Sequence, residues 1–250
     1  MSEHVSVERR GAIQIIRMNR PEKKNAITRA MYAAMAKALA ESDADKTIRC
    51  RVLFGVPGAF SSGNDLADFL AVATGGEDGR EVYDFLMALA RSEKPIVSGV
   101  DGLAVGIGTT IHLHCDLTFA TPEASFRTPF VDLGLVPEAG SSLLAPAIMG
   151  RQQAFALLAM GEAFPAERAK AAGLIYEVVE VSKLEETVLA AAEAIAAKPP
   201  EALRIARKLM RAPRDAIVAR IEEEGVHFRQ RLTSEEAKAA FMAFMNRKKG

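Results

Sequence analysis

The chain has 250 residues, 49% of them apolar, and 32 basic side chains balance 32 acidic ones. This length and composition suit one large domain, or a domain with an appendage, around a substantial buried core. Zero formal net charge argues against a nucleic-acid binder working through a broad basic surface, so an anionic ligand has to be met locally. The first ten residues, MSEHVSVERR, carry charges where a secretory leader needs an apolar run, and no stretch approaches the roughly 20 apolar residues of a membrane span. With only Cys50 and Cys115 available there is no disulfide framework, and a reducing, cytoplasmic setting is expected.

HVSVERR and AIQIIRMN read as two strands around a turn at Gly11, with Ile13 and Ile15 alternating with polar Gln14 and Arg17. Thr28 is the predicted N-cap of an alanine-rich helix in which Met31, Met35 and Leu39 recur every four residues. RVLFGV has the length of a buried strand, TGGEDG reads as a loop, and Val82, Phe85, Leu86 and Leu89 form a helical stripe. PIVSGV follows as a strand, Gly106 to His114 as a buried helix, CDLTFA as a strand and ASFRTPF as a short extended piece. Strands and helices therefore alternate, predicting an α/β fold.

Beyond Ser182 only helices are expected. Leu184, Val188 and Ile195 mark one, Leu203, Ile205 and Leu209 a second, and Ile217 and Ile221 a third. Thr233 and Glu236 resemble the capping box of a last helix whose apolar edge is Phe241, Phe244 and Met245, suited to packing on another subunit.

Three glycine-containing stretches carry the chemistry. In SSGNDL, Gly63 permits a sharp turn, either a purely structural one, the commoner use of such a glycine, or one that aims the Asn64 amide into a pocket instead of a strand ladder. In GLAVGIG, Gly106 and Gly108 flank Ile107 where a helix should begin, and free first-turn amides suit a developing negative charge. This spacing does not match a G-x-G-x-x-G dinucleotide loop. In LGLVPEAGSS, Glu138 stands between a proline and a small-residue turn, either as an acid/base or as an ordinary first-turn helix carboxylate. An apolar pocket would raise its pKa and a helix start would lower it, and the residues alone leave the sign open. His112 and His114 fall on different faces of a helix, unlike a same-face zinc pair, so no metal site is expected. Asp65 and Asp132 read as turn or helix-start carboxylates.

NRPEKKNA, FSSGNDL, GLAVGI, SFRTPF and LVPEAGSS occur in this order with spacings that resemble the crotonase (enoyl-CoA hydratase/isomerase) superfamily over nearly the whole chain. FSSGNDL, AVGI, FRTPF and PEAGSS together look most like the Δ3,Δ2-enoyl-CoA isomerases. The resemblance implies a spiral core of repeated ββα turns over residues 1–196 and a helical trimerisation region over 197–250, as a homotrimer or a dimer of trimers.

It also implies an acyl-CoA thioester substrate and no separate cofactor, since coenzyme A is part of the substrate. The amides of Asn64 and Ile107 would hold the thioester oxygen, and Glu138 would be the acid/base. Lys24, Asn25, Ala26, Ser62, Gly63, Asp65, Leu66 and Phe130 would border the substrate, and the depth of the acyl pocket would depend on side chains such as Phe69, Phe85 and Phe130. Arg247, Lys248 and Lys249 either meet phosphate or form a solvated tail. Hydratases of the family carry two glutamates, and the corresponding positions here are Thr110 and Phe130, neither of which can act as a carboxylate base. Proton relocation is therefore expected over hydration, with an atypical hydratase, a ring-epoxide isomerase or a noncatalytic acyl-CoA binder as the alternatives.

Overall fold

A computed structural model of the chain describes residues 2–68 and 79–247. Phe69, positions 74–78 of the expected loop, Lys248 and Lys249 lie outside the described residues, as do the side chains of Phe244, Met245 and Arg247.

β1 (Val5–Arg10) and β2 (Ile13–Met18) form the expected antiparallel hairpin. The alternation read in β2 does not separate a wet face from a dry one, because helices cover both faces of the sheet. Gln14 is buried, and its amide donates to the Ala38 carbonyl of α1 (Arg29–Ala44) at 3.1 Å. Thr28 caps α1 as predicted, its side chain accepting from the Met31 amide, and Met31, Met35 and Leu39 are buried.

From there the chain repeats one move three times. β3 (Cys50–Phe54), β5 (Ile96–Val100) and β7 (Leu117–Ala120) run parallel in a six-stranded sheet of order β1-β2-β3-β5-β7-β10. After each of the three, a tight turn delivers a short strand to a second sheet of order β4-β6-β8-β9: β4 (Ala59–Ser61), β6 (Leu103–Val105) and β8 (Ser125–Arg127). Stacking these turns produces the spiral that the resemblance implies. β9 (Phe164–Pro165) and β10 (Glu177–Val178) complete the two sheets. Of the small sheet only β8, within ASFRTPF, registers in the sequence, because strands of two or three residues are too short for any periodicity.

Helical segments follow the short strands: α2 (Arg80–Arg91), the brief α3 (Ile107–Thr110) continued as a 3-10 turn Ile111–His114, and α4 (Ser141–Leu158). α5 (Ala166–Ala171) links β9 to β10. The outer face of the large sheet, including Ile15, Val52, Val97 and Phe119, packs on α6 (Leu184–Ala196) through Leu184, Val188 and Leu189. Its inner face joins the larger core with α1, α2 and the second sheet.

α7 (Pro200–Met210), α8 (Arg214–Leu232) and α9 (Glu235–Arg247) end the chain. Ile217 and Ile221 of α8 are buried as predicted, and α8 packs on α2 and α4. Two expectations need correction. The apolar stripe of α7 faces outward, with Leu209 80% exposed, and the residue that α7 buries is Arg207, which pairs with Asp116 at 2.7 Å. The cap of α9 is Ser234, whose hydroxyl accepts from the Ala237 amide, while the Thr233 hydroxyl donates to the Gln230 carbonyl. A register one residue later places the capping oxygen three positions before a free amide.

Candidate active site

The turn after β4 and the start of α3 are brought together by close backbone approach. A Cβ on Gly63, whose φ is +94°, would stand 3.1 Å from the Val105 carbonyl, and one on Gly108 would stand 2.8 Å from that of Ser61. Any larger residue at either position would wedge the two turns apart. The amide of Ile27 donates to the Gly63 carbonyl, and the amide of Asp65 donates to the Ile27 carbonyl. In extended backbone alternate residues face opposite edges, so the Asn64 amide between them points away from Ile27. Ile107 is the first residue of α3, and its amide has no intrahelical acceptor. Among the described residues neither amide donates to a protein acceptor.

Glu138 precedes a turn in which Ala139 and Gly140 both take left-handed backbone angles, φ +63° and +71°. α4 begins just past it, at Ser141. The residue keeps some accessible surface, while its carboxylate accepts a hydrogen bond from the Thr110 hydroxyl at 2.6 Å. Burial of the carboxyl pushes its pKa up to about 8; the Thr110 bond opposes this and the nearby Glu224 carboxylate adds to it. The pull of the pocket therefore outweighs that of the helix start, because the free amides at the head of α4 are already taken by Glu224.

Tyr32 joins the segments. Its buried hydroxyl donates to the Asn64 side-chain oxygen at 2.5 Å. Its pKa is raised well above the usual phenol value by burial and then by the charge of Glu138, so it remains a neutral donor. Glu138, Thr110, Tyr32 and Asn64 thus border one region. Among the described residues no three His, Cys, Asp or Glu side chains converge as a metal site requires.

The other predicted site residues fall around this region in different roles. Asn25 is fully buried and left-handed (φ +52°); its side-chain amide donates to the carbonyls of Ala59 and Phe60, its backbone amide donates to the Arg20 carbonyl and its carbonyl accepts from the Ser61 hydroxyl, so it braces the turn and does not itself face a ligand. Lys24 is exposed and Ala26 half-buried, and the Lys24 carbonyl accepts from the Ser62 amide, tying this turn to the Gly63 turn. Asp65 is held at low pKa; burial opposes this, but the Arg20 pairing at 2.6 Å and the Ala67 and Asp68 amides outweigh it. It is a helix-start carboxylate and not a base. Leu66 packs on the core at its edge, and Phe130 is 6% exposed within it.

Residues 8–250 match the family model described as Enoyl-CoA hydratase/isomerase. The chain belongs to the enoyl-CoA hydratase/isomerase family. It is 37% identical over 253 residues to rat enoyl-CoA delta isomerase 2, covering 99% of this chain and 64% of that protein. It thus spans just under two thirds of that longer relative. It is 34% identical to 1,2-epoxyphenylacetyl-CoA isomerase of Escherichia coli strain K12 over 75% of this chain and 74% of that one. The crystal structure of an enoyl-CoA hydratase/isomerase from Pseudoalteromonas atlantica T6c superposes with a TM-score of 0.93 at 38% identity, covering 98% of both chains.

Within this family member, sequence reasoning missed Tyr32 and Glu224 as neighbours of Glu138. Tyr32 sits in an alanine-rich helix and Glu224 in a run of three glutamates, Glu222 to Glu224, neither of which marks a site. In the sequence Thr110 stands out only for the carboxylate it lacks, yet its hydroxyl is the direct partner of Glu138. The two buried histidines are neutral: burial pulls His112 down to about 3 and His114 to about 4. His114 Nε2–H donates to the Ala139 carbonyl at 2.7 Å, bracing the Glu138 turn from behind.

Proposed function

We propose that this protein moves the double bond of a 3-enoyl-CoA to the 2 position, with Glu138 as the proton carrier and the Asn64 and Ile107 amides as donors to the thioester oxygen. The observation that carries this reading is the placement of Glu138, whose carboxyl accepts from the Thr110 hydroxyl in the region bordered by Tyr32 and Asn64; burial pushes its pKa up to about 8, which suits a group that both takes and returns a proton. Ionised Glu138 removes a proton from C2, and the electron pair of that C–H bond spreads into the thioester carbonyl and the adjacent double bond as a dienolate. The acid form of Glu138 then returns the proton to C4, the 2,3 double bond forms, and the carboxylate is regenerated. Negative charge on the thioester oxygen needs preorganised donors, and the loss of one such donor typically costs about 3 kcal/mol of transition-state stabilisation.

Hydration by a pair of carboxylates finds less support. Thr110 stands where the resemblance puts one glutamate and core Phe130 where it puts the other, while both oxygens of Glu224 accept from backbone amides. The test is conversion of a 3-enoyl-CoA, followed by the absorbance of the conjugated 2-enoyl product. A wild-type rate no greater than that of Glu138→Gln sinks the reading. The likeness to an epoxyphenylacetyl-CoA isomerase favours one alternative, ring-epoxide isomerisation in the same site, which a panel of acyl-CoA substrates separates. The outward Ile205 and Leu209 of α7 support self-association, read as a trimer in solution by light scattering.

A further inference from the structure

The turn that carries Glu138 has an unusual fastening. Two successive left-handed residues, the first of them alanine, are costly for an L-residue chain and persist only when their surroundings hold them. Such a turn gathers backbone amides into a concavity that suits an anion. Here an internal carboxylate fills it. Glu224 of α8, 5% exposed, accepts from the Gly140 amide at 2.6 Å and from the Ser142 amide at 2.9 Å. It thereby does for α4 what its own N-cap, Gly140, lacks a side chain to do. α8 also lies against the turn, since a Cβ on Gly140 would be 3.4 Å from both Ile217 and Ile221.

We propose that Glu224 is a positioning residue for Glu138: from the C-terminal helices it locks the turn that aims the Glu138 carboxyl and holds a negative charge beside it. The inference rests on the reading of Glu138 as the proton carrier. Burial raises the pKa of both carboxyls, but Glu224 accepts from two backbone amides that favour its ionised form, whereas among the described residues Glu138 has one hydroxyl donor, so of the two neighbours Glu138 is the one that takes up the proton. Among the described residues, the groups that face the pair are few. Thr110 and the neutral phenol of Tyr32 face Glu138. Arg220 of α8 acts on Glu224, bonds the Ser142 hydroxyl at 3.1 Å and pairs with Glu223 at 3.0 Å. Neutral His114 meets the turn at the Ala139 carbonyl.

The charge of Glu224 disfavours a second charge on Glu138 and cancels the positive end of α4 that would otherwise favour it. Removing that charge while keeping the shape should therefore make Glu138 more acidic. The experiment compares the pH dependence of kcat/KM on a 3-enoyl-CoA for wild type, Glu224→Gln and Glu224→Asp, with Glu138→Gln as reference. Glu224→Gln is expected to move the acid limb down by about half a pH unit. Glu224→Asp keeps the charge but is a methylene too short to reach both amides. It should leave the limb in place and lower kcat about tenfold, with KM changed less than about twofold.

If Glu138→Gln is inactive and both Glu224 variants are slow with an unmoved limb, Glu224 only supports the fold and the inference is overturned. If wild type does not turn over 3-enoyl-CoA, the isomerase reading fails by itself. The inference is then judged on carbodiimide labelling of Glu138 against pH, located by peptide mass spectrometry. A labelling midpoint lower in Glu224→Gln than in wild type supports it, and an equal midpoint overturns it. Should Glu224→Gln not fold, Glu224→Ala, which also removes the charge, decides the same question: a lowered acid limb supports the inference, and an unmoved limb overturns it.

Discussion

Replacing Glu138 by glutamine should make the protein more stable, and increasingly so as the pH rises. In the unfolded chain this carboxyl ionises near 4.5, and in the folded protein near 8. Between those values the folded state holds a proton that the unfolded state has released, so folding takes up a proton and stability falls with rising pH. At about 1.4 kcal/mol for each pH unit between them, the full penalty above pH 8 is on the order of 5 kcal/mol. Glutamine keeps the shape and still accepts from the Thr110 hydroxyl, and it never ionises. Allowing for local relaxation, the variant should gain about 2–4 kcal/mol at pH 8 and under about 1 kcal/mol at pH 5. For a chain of this length that is roughly 5–10 °C in Tm at pH 8. Glu224 is also raised by burial, but it is present in both proteins and largely cancels in the comparison. Thermal unfolding of both proteins from pH 5 to 8 is the assay. A Tm difference that stays flat across that range, or a variant less stable than wild type at pH 8, refutes the reasoning. The same variant should lose isomerase activity, so stability and function would move in opposite directions at one atom pair.

Thr110→Val removes a hydroxyl that favours ionised Glu138, and the acid limb of kcat/KM should rise by about one pH unit with little change in Tm. Gly108→Ala sets a Cβ 2.8 Å from the Ser61 carbonyl, pushing the head of α3 off the Gly63 turn. Its kcat should fall about 100-fold, read by the absorbance of the conjugated product, because the Ile107 amide is displaced from its partner. Asn25→Ala deletes a fully buried amide that donates to Ala59 and Phe60 and accepts from the Arg20 amide at 2.7 Å, at a left-handed position. Denaturant unfolding should show a loss of about 3 kcal/mol.

How much of this was legible depends on how far each feature reaches along the chain. Thr28 and the stripe Met31, Met35 and Leu39 announce α1, because a cap and a period are local and survive in any context. The central strands β3 and β5 of the large sheet are visible as apolar runs beside Gly55 and Pro95, whereas the two-residue β10 is not. The alternation in β2 misleads for a long-range reason: Gln14 looks solvent-facing until α1 is laid over it and offers the Ala38 carbonyl. The stripe of α7 misleads in the opposite sense. Ile205 and Leu209 have the spacing of a buried face, yet within one chain that face is bare and the buried side chain is Arg207, held by Asp116 from 91 residues away. A hydrophobic period reports that a face wants covering, not what covers it.

The site shows the same division. Gly63, Gly108 and Glu138 stand out because a glycine that permits close approach, or an acid beside a small-residue turn, is a local choice of residue type. What determines the chemistry of Glu138 is not local. Its hydroxyl partner comes from α3, a phenol from α1 feels its charge, and the carboxylate that claims the free amides beside it comes from α8, 84 residues beyond Gly140. The sign of its pKa shift could not be read from LGLVPEAGSS, since the helix start that should have favoured the anion is spent on Glu224. An apolar pocket alone would raise the pKa of any buried acid. A pocket whose nearest free amides are already occupied by a second carboxylate leaves Glu138, among the described residues, with a single hydroxyl to steady its charge, and that balance is what the proposed role, accepting and surrendering the same proton near neutral pH, requires.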